Sequence, residues 1–541
     1  MSRPIHRAAV VALSVYFLGV GIWAARTHTP TVDEFAQVPI GLYHWRTGRF
    51  DFDTRNPPLM KLWASAPVAL SGAKLPELKP EGPREGWFNW RHGSAFLRDN
   101  KDNYFYLFFL ARLAVLILAL GGGFLLKKWA GDWLGPAGGL LAFFLYTTDP
   151  TILGHASLAT VDVGTTVFTL AAFLATWRLA TTGRLGWAIA AGVSFGLALG
   201  SKLVVLFLLP AAPALLAWQR RCRGEWKRRP LAIEFGAMAL CAWLAFLACY
   251  GFTDFPLPRA ALHGIHLKAA DTSTEFSPSF LMGEWSTHGW WWYDAVAILV
   301  KFPVPLLLLA GAGIWASRTG GLPRGAWLWI ALPTAVLLEV LSFHYHINYG
   351  VRYLLPVVPF FLLLAAAGAK RLLAGGRRER LVASALLAWQ LLTSALNSPH
   401  QLAYFNELVG GPDRARHVLL DSNLDWGQDL GRLAAELKAH PRGKIYLGYF
   451  GSVDPAIYGI DYRLPPSEPA AGFYAISANY LAGYPYPLTY RGKDPLKIEP
   501  GAWTWLDDLE PVGRVGRSIY LFEVKAPVPG NGMPISGTRN R

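Results

Sequence analysis

The sequence predicts a polytopic α-helical membrane protein that ends in a small extracytoplasmic α/β domain. Three observations carry this expectation. Apolar runs of about 17 to 22 residues recur along residues 1–396. Lysines and arginines gather beside alternate ends of those runs, and the composition turns polar from residue 397 on. The chain has 541 residues, is 53% hydrophobic and carries a formal charge of +15, with a mean hydropathy of +0.27. Its basic residues lie in short clusters such as "QRRCRGEWKRRP" (219–230) and "AKRLLAGGRRER" (369–380). Such clusters flank spans and set their orientation; they are not a nucleic-acid surface. Three cysteines, Cys222, Cys241 and Cys249, supply neither a disulfide framework nor a thiolate metal site.

The first run, 8–25, follows Arg3 and Arg7. It is long enough to span and more spans follow, so it is read as a retained helix and not a cleaved signal. Further runs near 104–126, 134–147, 161–178, 186–200, 203–218, 231–250, 295–315, 326–342, 353–369 and 381–396 bring the expectation to about eleven transmembrane helices. With the amino terminus inside, Lys127, Lys128, Arg178, Arg184, Arg318, Arg324 and the 220–229 and 370–380 clusters all face the cytoplasm. Residues 1–396 thus form a membrane domain and 397–541 an outer one.

The outward segments are 26–103, 147–160, 251–294 and everything after 397. In the first, "PLMKLWASAPVALSG" (58–72) reads as a helix lying in the interface. Counting it as a span would turn the two richest basic clusters outward, and that alternative is rejected. Beyond 397, strands are expected at 416–422, 443–450, 472–481 and 517–524 and a helix at 427–440. That alternation implies a mixed sheet. The tail, 526–541, is expected to be disordered, and no internal repeat is visible.

Chemistry-bearing residues collect in the outward segments. Asp33 and Glu34 are open to two readings. One is a general base whose neighbour raises its pKa; the other is the first turn of a helix capped by Thr31. In "TTDPTILGHASLATVDVGTT" (147–166), Asp149, His155 and Asp162 would hold a divalent cation or serve as structural hydrogen-bonding groups. Arg55, Lys61, Lys202 and Arg352 would meet a lipid phosphate or snorkel to ordinary headgroups. His288 and the Trp290–Trp292 run would line a sugar subsite or form an interfacial aromatic belt. "DSNLDWGQD" (421–429) sits where a strand should give way to a helix, a usual ligand position, or is a helix cap built on Asp425. Carboxylates and cations on one membrane side suit transfer of a group from a lipid phosphate to a hydroxyl.

At "VDE" (32–34), "NPPLMKL" (56–62), "ATVD" (159–162), "GLALGSK" (196–202) and "RYLLPVVP" (352–359) the chain resembles the polyprenyl-phosphate-dependent glycosyltransferases of family 39. This group includes the protein O-mannosyltransferases and the lipid A aminoarabinose transferases. The segments 281–309 and 404–430 are similar to bacterial members of the same broad group. The resemblance implies a C-type glycosyltransferase fold and inverting transfer from a polyprenyl-phosphate sugar to a hydroxyl of a lipid, glycan or protein. In that picture Asp33 is the acceptor-side base, Glu34 its support and Asp162 a second acid. Lys61, Lys202 and Arg352, with Arg55 nearby, lie near the donor phosphate. Asn56 stands where the family usually has a basic residue or histidine. The implied setting is the inner membrane, multi-pass, with the carboxy-terminal domain periplasmic. A metal-independent reaction is favoured, a divalent cation at Asp149 and His155 being the alternative. Rival functions are a flippase for a lipid-linked sugar, which commonly shows repeated halves, and a glycan-binding assembly factor of the envelope.

Overall fold

The computed structural model describes residues 3–525 except 78–84, 225–230, 274–277, 345–347, 486, 489–495 and 497. The tail expected to be disordered lies outside the described residues, as does much of the 220–229 cluster. α1 (Arg3–Thr27) leads into α2 (Val32–Thr47), α3 (Leu59–Leu70) and α4 (Glu85–Asp99). Next come α5 (Tyr104–Thr147), α6 (Pro150–Ala156), α7 (Asp162–Thr182), α8 (Leu185–Leu199), α9 (Ala211–Cys222), α10 (Leu231–Cys249) and α11 (Arg259–Ser273). A hairpin of β1 (Ser279–Leu281) and β2 (Glu284–Ser286) precedes α12 (Tyr293–Lys301), α13 (Val304–Arg318), α14 (Ala326–Phe343), α15 (Val358–Leu373) and α16 (Arg377–Leu396).

Among the described residues seven helices are long and apolar enough to cross a membrane, eight if α12 and α13, bent by 110°, form one span. The eleven expected runs are nonetheless recognisable. Those at 104–126 and 134–147 both lie in α5, where Gly135 (φ 72°, ψ 179°), followed by Pro136, reverses the chain. Tyr146 then donates to the Ala119 carbonyl at 2.7 Å, so the two arms lie side by side. The break between α12 and α13 falls at Phe302-Pro303, where proline supplies no amide donor to continue the helix. α8 has 15 residues, and α16 opens on four charged ones. α3 has 12, too short to span.

Helix packing explains the "GLALGSK" segment. Gly192, Gly196 and Gly200 recur every fourth residue on the face of α8 that meets α10. A Cβ on Gly192 would come within 2.4 Å of the Met238 carbonyl oxygen, and one on Gly196 within 2.3 Å of that of Ala242. Small residues let two helix backbones approach this closely. Gly196→Leu should therefore destabilise the fold by about 1 to 3 kcal/mol and displace Lys202 behind it. Gly186→Leu, with nothing within 4 Å, should stay within about 0.5 kcal/mol of the parent. Melting temperatures of the two variants in detergent check both statements.

The carboxy-terminal part holds α17 (Leu430–Ala439), β3 (Ile445–Gly448), β4 (Tyr462–Arg463), β5 (Gly472–Ser477), the short α18 (Ala478–Leu481), β6 (Gly513–Val515) and β7 (Ile519–Val524). The sheet order is β4-β3-β5-β7-β6. β3 runs parallel to β4 and β5, and β7 antiparallel to β5 and β6, so the sheet is mixed. The strand expected at 416–422 is absent. Residues 415–417 and 421–423 are 3₁₀ turns, because Asp421 takes φ 56° and Leu419 and Leu420 are buried in the main core. An apolar run cannot by itself distinguish a strand from a buried turn.

Candidate active site

Five helix-flanking stretches meet at one end of the membrane body: the α1–α2 turn, α6 with the start of α7, the chain after α8, the turn before α15, and residues 421–428. Asp33 is the second residue of α2, and its Oδ2 accepts from Arg352 Nη1 at 2.6 Å. The Asp33 side chain is 27% exposed and that of Arg352 11%. Asp162 opens α7, and its Oδ1 accepts from Lys202 Nζ at 2.7 Å, with both groups buried. Tyr353 joins the two ion pairs. Lys202 Nζ lies 3.8 Å from its ring centroid and the Arg352 guanidinium 5.4 Å from it, both within range of the electron-rich ring face.

Trp426 covers the same guanidinium from another side, its ring centroid 4.6 Å away. The His155 ring lies 6.4 Å from the Trp426 ring. His155 is buried with neither ring nitrogen hydrogen-bonded, and Asp162 Oδ2 is likewise buried and unbonded. Burial drives the imidazole pKa down to about 4; Asp162 opposes this, and the nearby cations add to it. His155 is therefore neutral at pH 7, one ring nitrogen a donor and the other an acceptor. Unpaired buried polar atoms are costly and rare, and they mark places where a ligand's polar groups fit.

The segment "DSNLDWGQD" holds these parts together. Asn423 Oδ1 accepts from the Val351 amide at 3.0 Å, and its carbonyl accepts from buried Lys301 at 2.6 Å. Ser422 donates to the Tyr349 carbonyl. The Trp426 and Gln428 carbonyls accept from the Val32 and Thr29 amides at 3.2 and 2.9 Å. One short stretch thus ties the turn bearing Arg352 to the turn bearing Asp33. Asp425 does not cap a helix end. Its Oδ1 accepts from the Gly427 amide at 3.1 Å, and burial raises its pKa to about 8. A carboxyl that binds its proton more tightly when folded costs stability as pH rises from its unfolded pKa, about 4, to the folded value. The melting temperature should accordingly fall between about pH 4 and pH 8, and Asp425→Asn should flatten that slope.

Several expected site residues lie elsewhere. Glu34 is fully buried and faces away from Asp33. Its Oε1 and Oε2 accept from Arg112 Nε and Nη2, both at 2.7 Å, and Oε1 also accepts from the Ala159 amide at 2.8 Å. With Thr31 it completes the capping box of α2, the structural reading of the acidic pair. Burial alone would raise the Glu34 pKa, but the Arg112 charge and these hydrogen bonds hold it below the usual value. Lys61 is buried and donates to the Asp53 carbonyl at 2.7 Å, Asp53 Oδ2 at 3.1 Å and the Asn56 carbonyl at 2.8 Å. It braces the 53–56 loop, on which Arg55 is half-buried. His288 is exposed, and the Trp290 amide donates to Asn348 Oδ1 at 2.8 Å. Asp149 caps α6 through the Ile152 amide at 2.9 Å. No group of three or more His, Cys, Asp or Glu side chains converges among the described residues. Arg112, Trp426, Tyr353 and Asn423 were not singled out. An arginine inside the apolar 104–126 run was the one signal that pointed to Arg112.

Residues 15–253 match the family described as dolichyl-phosphate-mannose-protein mannosyltransferase. The matched region holds four of the five motifs that carried the resemblance, along with Asp33, Asp162 and Lys202. No curated protein sequence matches the chain. Among solved structures it is similar to ArnT from Cupriavidus metallidurans bound to undecaprenyl phosphate, at 13% identity, TM-score 0.48, covering 95% of this chain and 97% of that one. It is also similar to the oligosaccharyltransferase AglB from Archaeoglobus fulgidus, at 12% identity, TM-score 0.41, covering 88% and 70%. The Pmt1-Pmt2 complex of S. cerevisiae aligns at 15% identity, TM-score 0.30, over 53% of this chain and 41% of that one. At these TM-scores none of the structural likenesses bears on the site.

A multi-span helical body with paired acids and cations at one end, fused to a small α/β domain, is a membrane glycosyltransferase that uses a lipid-linked donor. Over residues 15–253 the chain is similar to the dolichyl-phosphate-mannose-protein mannosyltransferase family. The flippase reading is not favoured.

Proposed function

We propose that this enzyme moves a sugar from a polyprenyl phosphate to a hydroxyl of a lipid, glycan or protein, inverting the anomeric carbon, on the outer face of a bacterial inner membrane. The observation that carries this reading is the pair of ion pairs joined through Tyr353. Each contains a carboxylate and a cation, the two components that single displacement from a phosphate requires. In the reaction the acceptor oxygen forms its bond to the anomeric carbon as the bond from that carbon to the phosphate oxygen breaks. Asp33 takes the acceptor's proton, and the bonding electrons leave with the lipid phosphate, which Lys202 and Arg352 stabilise.

The resting ion pairs keep these charges compensated until a donor arrives; the phosphate then competes with the carboxylates for the two cations, leaving Asp33 free to act as base. Neutral His155 would meet a sugar hydroxyl beside Asp162, while His288 and Trp290 belong to an outer subsite. A cavity of about 560 Å³ lined by Leu199, Leu203, Leu206, Phe246, Leu262 and Ile265 begins next to Lys202 and would take the first isoprene units. Glu34, Lys61 and Arg55 act through the backbone that carries the site. Residues 397–541 form the outer domain, and their 421–428 stretch closes the donor side.

Mass spectrometry of envelope lipids, glycans and proteins tests the proposal in cells with the intact protein, without it, and with Asp33→Asn. One acceptor should lose the same sugar in both defective strains. An unchanged glycan inventory with altered lipid-linked intermediates would overturn the transferase chemistry assigned to Asp33.

A further inference from the structure

A second polar cavity, of about 650 Å³, opens between the end of α1, the first turns of α5 and the start of α17. None of Asp33, Asp162, Lys202 and Arg352 lines it. Its walls include three arginines, Arg26, Arg112 and Arg432, together with His28, Phe105 and Phe109. Arg112 is spent on Glu34 and on the Ala25, His28 and Thr29 carbonyls. Arg432 donates through Nε to Asp429 at 3.1 Å and through Nη2 to Thr27 Oγ1 at 2.9 Å. Arg26 is exposed, its guanidinium 4.9 Å from the Phe109 ring centroid, and it makes no ion pair among the described residues. The cavity therefore carries one uncompensated positive charge, with Arg432 beside it.

His28 makes the cavity more than a charged hollow. It is 4% exposed, it lines the cavity, and neither ring nitrogen has a hydrogen-bond partner. Burial, and then Arg432 and Arg112, hold its pKa well below the usual value against a weaker pull from the Pro399 carbonyl, so the ring is neutral and one nitrogen carries a proton. A donor and two guanidinium groups around one space match an oxyanion with several acceptor oxygens. The depth fits as well: Arg26 ends a spanning helix and Phe105 begins another, which places the opening at headgroup level, with Phe105 38% and Tyr106 57% exposed beside it.

We propose that this cavity binds a phosphate anion, carried by a phospholipid headgroup or free in solution, and that its occupant braces the 27–32 turn against α17. The turn and the helix are already joined by the Gly431 amide, which donates to Thr29 Oγ1 at 2.9 Å. A phosphate spanning Arg26 and Arg432 would add a further tie close to the residue that anchors Glu34. This site is independent of the transferase assignment, and its failure would leave that assignment standing.

The test is native mass spectrometry with melting curves on the full-length protein in detergent, titrated separately with phosphatidylglycerol and with inorganic phosphate. Arg26→Gln removes the uncompensated charge from an exposed position, and Ala435→Trp fills the cavity from α17 while keeping every cation. If the phosphate is lipid-borne, the wild type should retain one phosphatidylglycerol and melt higher with it, and both variants should lose at least fivefold in retention. If it is free, inorganic phosphate alone should raise the melting temperature, and both variants should abolish the rise. Equal behaviour of wild type and both variants toward both ligands would overturn the site.

Discussion

Arg352→Met is expected to lower transfer by about a thousandfold, with donor affinity and turnover both affected. Arg352 is assigned two duties. At rest it holds Asp33 at 2.6 Å; during transfer it faces the leaving phosphate. Removing one preorganised charged donor from a transition state typically costs about 10² to 10³ in rate, and the loss of ground-state attraction for a phosphate adds to that. Arg352→Lys should recover only part of the loss. A lysine keeps the charge, but it cannot contact Asp33 through one nitrogen while its plane lies against both Trp426 and Tyr353. The decisive measurement is a double-mutant cycle with Asp33→Asn on kcat/KM. Two groups acting in one step should give a double variant scarcely worse than the poorer single one. Independent, additive losses would separate Arg352 from the chemistry and leave it a structural role.

The membrane class was legible because apolar length and the placement of Lys and Arg are direct consequences of bilayer thickness and insertion. The convergence of Asp33, Asp162, Lys202 and Arg352 was legible for the same reason: they sit at or just beyond ends of apolar runs, and alternating runs bring those ends together. What the residues alone did not reveal was pairing. Nothing in "VDE" says that Asp33 turns toward Arg352 while Glu34 turns toward Arg112; adjacent residues on a helix diverge by about 100°, and which one faces the site depends on the crossing of α1, α2 and α5. Lys61 illustrates the same limit. Its motif is shared with the family, yet its charge is consumed by three oxygens of the 53–56 loop, a local arrangement set by the backbone turn at Asp53 (φ 45°). The role of 421–428 was hidden for a different reason. Its polar side chains were read for a ligand or a cap; Ser422 and Asn423 instead bind the 349–351 turn, and the Trp426 and Gln428 carbonyls bind the 29–32 turn, contacts separated by up to about four hundred residues. Among these, Asp162 and Lys202 show what sequence does carry well: two motifs of the family, 40 residues apart, resolve into one buried salt bridge.

Arg112→Met should unfold or severely destabilise the protein, with a loss of about 3 to 5 kcal/mol, because it leaves a carboxylate in a place where nothing else can neutralise it. Glu34 is 0% exposed and Arg112 2%. All three guanidinium nitrogens are used, five hydrogen bonds in total reaching Glu34 and the Ala25, His28 and Thr29 carbonyls. The pair therefore fixes the end of α1, the start of α2 and, through the Ala159 amide, the approach to Asp162. Glu34→Gln should cost less, since a neutral amide still accepts from Arg112, and the double variant Glu34→Gln/Arg112→Met should recover part of the stability lost with Arg112 alone, because the uncompensated charge is gone. The sign of the pH dependence follows from the lowered pKa of Glu34. Its stabilisation is complete above the unfolded value, near pH 4.5, and is lost as pH falls through the lower folded value. Melting temperatures of the parent should thus drop below about pH 4.5, and Glu34→Gln should remove that part of the drop. Thermal unfolding of the four proteins at pH 7 and pH 4 gives both answers. If Arg112→Met melts with the parent at pH 7, the buried pair does not carry the α1–α2 turn, and Asp33 must be positioned by the 421–428 contacts alone.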